Sequence, residues 1–79
     1  MIEHIVHYQD GQPNGVTEVY NIKGFLIQEG AYKNGLEQGL WKFYNAEGNL
    51  EYAGQYERGK PAGIWYQYHR GKQKVYERY

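Results

Sequence analysis

Apolar and polar residues in this chain alternate in short runs that glycine interrupts, and no window carries the apolar spacing of an amphipathic helix. In the run from Leu40 to Asn45, alternation sends Leu40, Lys42 and Tyr44 to one side and Trp41, Phe43 and Asn45 to the other. In the run from Ile64 to His69 it sets Ile64, Tyr66 and Tyr68 against Trp65, Gln67 and His69. These runs are rich in Tyr, Trp, Val, Ile and Phe, which suit a pleated, half-buried surface better than a helix. Antiparallel strands are therefore predicted at about 2–9, 16–21, 25–33, 40–45, 49–57, 64–69 and 72–79. Joined in sequence as hairpins, they make an all-β fold, a single elongated antiparallel meander.

The pattern repeats. Gly11, Gly35 and Gly59 are 24 residues apart, as are Gly15, Gly39 and Gly63. Tyr8, Tyr32 and Tyr56 keep that step, as do Tyr20, Tyr44 and Tyr68, and Trp41 with Trp65. A further glycine follows at Gly24 and Gly48, then at Gly71 after the loss of one residue, so that Tyr79 takes the phase of Tyr56. The chain divides into a lead-in strand (1–8) and three repeats (9–32, 33–56 and 57–79) within one domain. Each glycine is expected where the chain reverses, and Asp10-Gly11 and Asn34-Gly35 are pairs that favour tight turns.

A sheet of 79 residues lacks a second layer to pack on, and with no cysteine it has neither disulfides nor thiolate metal sites. Its apolar area resides in ten Tyr, two Trp and two Phe, many in register between repeats, so the aromatics are first of all the expected core. The N-terminal residues show no basic, apolar leader and no run is long enough to span a membrane, which makes the cytoplasm the default location.

Charge sums to zero but is uneven: residues 1–40 hold two basic and five acidic side chains, residues 41–79 seven basic and four acidic. In a meander, sequence order is spatial order, so one end is expected to be acidic and the other basic.

Candidate chemistry is sparse. His4, His7 and His69 have no metal-ligand spacing, serine and cysteine are absent, and Thr17 is the sole threonine. Glu37, Glu47, Glu51 and Glu57 read as solvated residues of turns and a strand flank, and no glycine belongs to a phosphate-binding loop. The expectation is a protein that is not an enzyme and has neither cofactor nor metal. Tyr66, Tyr68, His69, Arg70, Lys72 and Lys74 would suit base stacking, but the neutral total charge argues against nucleic acid, and no amphipathic helix points to a membrane surface.

The pattern Gly-x-Tyr-x-x-Gly-x-x-x-Gly-x-Trp-x-x-Tyr-x-x-x-Gly, complete from Gly30 to Gly48 and again from Gly54 to Gly71 apart from the dropped residue, resembles the MORN repeat in its bacterial variant, and the chain is similar to the YwqK-type antitoxin family. The first repeat departs from it, with Val6 at the place of Gly30 and Gly54 and Thr17 at that of Trp41 and Trp65. Terminal repeats meet different neighbours, so such departures are expected. The resemblance implies an elongated sheet of hairpins that binds rather than catalyses.

The expected function is protein binding, as an antitoxin, immunity protein or inhibitor that neutralises a toxin or other effector. The alternative is a structural or scaffolding module that self-associates or sits on a larger assembly or membrane surface. Trp41, Phe43, Trp65, Tyr66 and Tyr68 are the candidate partner-binding residues, with Arg58, Lys60 and Arg70 as a charged rim. Trp41 and Trp65 have a second reading as stacked core. Open edge strands also suggest a homodimer, with Lys72, Lys74 and Arg78 guarding the final edge against filament growth.

Overall fold

The computed structural model describes the backbone of residues 3–9 and 11–79, and the side chains of residues 11 and 14–79. Ile2, where the lead-in strand was expected to start, and Asp10 of the first turn pair lie outside the described residues, as do the side chains of His4, His7 and Tyr8. The elements are β1 (Glu3–Gln9), β2 (Gln12–Tyr20), β3 (Leu26–Lys33), β4 (Leu36–Glu37), β5 (Gly39–Tyr44), β6 (Leu50–Glu57), β7 (Lys60–His69) and β8 (Lys72–Arg78). They form one open antiparallel sheet in the order β1-β2-β3-β5-β6-β7-β8, with the two-residue β4 paired to β3. The fold is the all-β hairpin meander that the alternation predicts. It measures 40 × 33 × 11 Å, a single layer. Among the described residues no helix is long and apolar enough to cross a membrane.

Two strands begin four residues earlier than the alternation predicts. β2 and β7 start at Gln12 and Lys60, each three residues ahead of the second glycine of its repeat, Gly15 and Gly63. The reversals are made by Asn34-Gly35 and Arg58-Gly59, whose φ angles are all positive (52° and 84°, 51° and 82°), as a two-residue hairpin turn of matching twist requires. Gly63 also has positive φ, at 68°, but lies within β7, where the pairing with β6 shifts register between Ala53 and Gln55. The second glycine of the repeat thus sits in a strand irregularity that raises local twist, and does not reverse the chain.

The other end of each hairpin is closed by asparagine where the loop is long. Asn21 Oδ1 accepts the backbone N–H groups of Lys23 and Phe25, and Asn45 Oδ1 those of Glu47 and Asn49. This local competition with the ladder is what short amide side chains do best. The third repeat has His69 at that place and turns tightly on Arg70-Gly71, φ 52° and 77°. The missing residue is absorbed by a register shift between Trp65 and Tyr66, so Trp65 faces Glu77 as Trp41 faces Gly54.

Turns also bond from repeat to repeat. Gln38 Oε1 accepts the Arg58 N–H at 3.1 Å, the Glu37 carbonyl accepts the Gly59 N–H at 2.9 Å, and Asn21 Nδ2 donates to the Ala46 carbonyl at 2.7 Å. Such nearest-neighbour links are how a repeat array holds together.

Candidate protein-binding face

The two faces of the sheet are finished differently. On one, which we call the indole face, Trp41 lies flat across Gly30 and Trp65 across Gly54, so close that a Cβ on either glycine would overlap the indole ring. Each indole N–H donates to a carbonyl of the strand beneath, Trp41 to Ala31 and Trp65 to Gln55, both at 3.1 Å. Large rings and small seats are therefore one device: the glycine supplies the space, and the carbonyl one residue later satisfies the buried donor.

Other rings close the gaps. Trp41 meets Tyr32 and Tyr56 edge-on, with centroids at 5.2 and 5.8 Å, and Trp65 meets Tyr56 and Tyr79 at 5.1 and 6.2 Å. Phe43 stacks between the indoles at 6.3 and 6.0 Å. Such pairs add about 0.5–1.5 kcal/mol each to the burial of the rings themselves. Trp41 is 1% exposed and Trp65 7%. In the first repeat Thr17 stands at the indole's position, is equally buried, and pairs across the sheet with Val6. Where the seat residue has a Cβ, no indole is present, so the two departures of the first repeat are one change.

The opposite, open face carries Val16, Leu40 and Ile64, again at a 24-residue step, and they are 55%, 53% and 42% exposed. Beside this row run Glu18, Lys42 and Tyr66, then Tyr20, Tyr44 and Tyr68. Register aligns Lys42 with Ala53 and Ala53 with Tyr66, so buried Ala53 floors a shallow groove of about 330 Å³. Leu40, Lys42, Ile64, Tyr66 and Tyr68 line its walls. Two hydroxyls on this face donate to carboxylates, Tyr44 to Glu29 at 2.7 Å and Tyr20 to Glu18 at 3.2 Å, while Tyr68 accepts from Gln73 Nε2. Burial first, then the hydrogen bond to Glu29 and its charge, push the Tyr44 hydroxyl up to about 12. Burial, then the charge of Glu37, raises Tyr56 on the other face.

The eight residues expected to bind a partner do not converge. Trp41, Phe43 and Trp65 belong to the indole face, where the two indoles are buried and Phe43 is half-buried. Tyr66 and Tyr68 line the open-face groove. Arg58 lies in the turn that leads into β7 and Lys60 opens that strand, while Arg70 follows its far end, beside a cleft of about 590 Å³ with Asn45, Asn49 and His69. The residues left out of that set are Val16, Leu40 and Ile64; their signal was the shared place one residue after the second glycine of each repeat. Among the described residues, no three His, Cys, Asp or Glu are grouped to hold a metal ion. Compared with known proteins, the chain matches no family model, no curated protein and no solved structure.

Proposed function

We propose that this protein is a non-catalytic protein-binding module, acting in the cytoplasm as an antitoxin, immunity protein or inhibitor, that engages its partner with the open face. One observation carries this reading: the indole face satisfies itself with rings seated on glycines, whereas the open face leaves Val16, Leu40 and Ile64 in water, the last two lining one groove with Tyr66 and Tyr68. An aligned apolar row rimmed by tyrosine and lysine has the make-up of an interaction surface. The resemblance of the repeat to the bacterial MORN variant supports the same class.

The test is a tagged capture from the native cytoplasm with mass spectrometry, run in parallel on the wild-type chain and Ile64→Glu. One stoichiometric partner that is lost with Ile64→Glu is the expected result. A partner retained by Ile64→Glu and Leu40→Glu alike would move the contact off this face. The second reading, a self-associating structural module, is favoured by the symmetry of the row, in which Val16 and Ile64 lie two strands to either side of Leu40.

A further inference from the structure

We propose that the groove over Ala53 takes an acidic side chain of the protein partner, and that its carboxylate lies where that of Glu29 lies one repeat earlier. The inference rests on the reading of the open face as the interaction surface and names the chemistry that this face recognises.

The repeat supplies its own comparison. Across the open face the strands align Glu18, Glu29, Lys42, Ala53 and Tyr66 in one row. Glu29 and Ala53 hold the same place in successive repeats, 24 residues apart, as do Glu18 and Lys42, Lys42 and Tyr66, and Tyr44 and Tyr68. The surroundings of Ala53 are therefore those of Glu29 moved on by one repeat, with the chemistry changed.

At Glu29 the chain provides the carboxylate itself. It accepts the Tyr44 hydroxyl at 2.7 Å, with Glu18 paired to it on β2 and Lys42 on β5. One repeat later the side chain stops at the methyl of Ala53, which floors the groove of about 330 Å³. Tyr68, the counterpart of Tyr44, lines this groove. Its oxygen accepts from Gln73 Nε2, and among the described residues its own proton meets no protein acceptor. Lys42 has beside Ala53 the position that Glu18 has beside Glu29, so an ammonium replaces a carboxylate as the neighbour. It is the one charged side chain lining the groove, and among the described residues no carboxylate lies within ion-pair distance of it.

An ammonium and a hydroxyl donor in one groove select an anion. Leu40, Leu50 and Ile64 line the rest of it, which suits an aliphatic stem better than a hydrated inorganic ion. A glutamate side chain meets both demands, its methylenes against the aliphatic wall and its carboxylate toward Lys42 and Tyr68. The place also favours a carboxylate more than the one Glu29 occupies. Glu29 faces the like charge of Glu18 across β2 and β3, whereas a carboxylate over Ala53 faces Lys42.

The test is an NMR titration of the full, isotope-labelled chain with N-acetylglutamate amide, against N-acetylglutamine amide as the uncharged control. The acid should shift the methyl signals of Leu40, Ala53 and Ile64 and bind about fivefold more tightly than the control, the size of effect that a half-exposed ion pair gives. Lys42→Gln and Tyr68→Phe should each reduce that preference. Ala53→Glu, which restores the carboxylate from within as at Glu29, should abolish the response with an unchanged circular dichroism spectrum. Equal binding of acid and control overturns the proposal, as do shifts centred on Lys72 and Lys74 of β8 or a response that survives Ala53→Glu. If the acid is not preferred but Ile64→Glu still abolishes capture of a partner, the carboxylate site fails and the binding face stands. A captured partner indifferent to Ile64→Glu and Leu40→Glu removes the face itself, and with it the source of the carboxylate.

Discussion

Leu40 and Trp41 are adjacent in the chain, both apolar, and end in opposite circumstances: Leu40 is 53% exposed and Trp41 1%. The same holds for Ile64, 42% exposed, beside Trp65, 7% exposed. Hydrophobicity does not separate them, and neither does strand position. What differs is the neighbour on the next strand. Trp41 and Trp65 each have a glycine to lie on and a carbonyl to bond, and tyrosines meet both indoles edge-on. The open face has Glu29, Lys42 and Gln55 among its aliphatic residues, and its rings are tyrosines, with neither of the two tryptophans. A one-layer sheet can thus bury one face with its own side chains when each large ring is matched by a missing one, and the face without that match is left for another molecule.

The sharpest way to break this comparison is to fill a seat. Gly54→Val should displace the Trp65 indole and cost about 4 kcal/mol or more, enough to unfold a domain this small, read by urea denaturation followed through tryptophan fluorescence. A stable Gly54→Val protein would mean that the seat is not what buries the ring.

Next in size is the coupling between seat and ring. Gly30→Val and Trp41→Thr each should destabilise, but together they copy the Val6 and Thr17 pair of the first repeat and should recover about 2 kcal/mol relative to the sum of the single changes. Strict additivity in the double-mutant cycle would show that the first repeat's two departures are unrelated.

On the open face the expected effects on folding are small. Leu40→Glu should change stability by less than about 0.5 kcal/mol, because its side chain is half in water already. A large loss of stability in dilute, monomeric protein would place Leu40 in the core and erase the contrast between the faces.

The smallest effect is a titration. Tyr44, held up to about 12 by burial and by its bond to Glu29, should be among the last tyrosines to ionise in an ultraviolet absorbance titration. Its folded value lies above the unfolded one near 10. The stability it lends is therefore full below about pH 10 and is lost as pH rises toward 12. Glu29→Gln should lower the Tyr44 transition and leave that of Tyr56, which answers to burial and Glu37, in place.

The 24-residue recurrence of glycine, tyrosine and tryptophan, with alternation between the glycines, was enough to read one all-β hairpin meander and its strand order. Local physics fixes these: period-two alternation, turn pairs such as Asn34-Gly35, and asparagines that close five-residue loops. It was not enough to separate the glycines by role. Gly35 reverses the chain, Gly63 irregularly twists a strand, and Gly30 and Gly54 are seats; these tasks differ only in what lies next to each glycine in space. Nor could it tell Trp41 from Leu40 as a contact residue, since alternation gives two faces but does not say which is covered. The tertiary structure decided that, because coverage depends on a ring from one strand finding an empty place and a free carbonyl on the strand before it, about ten residues back in the chain.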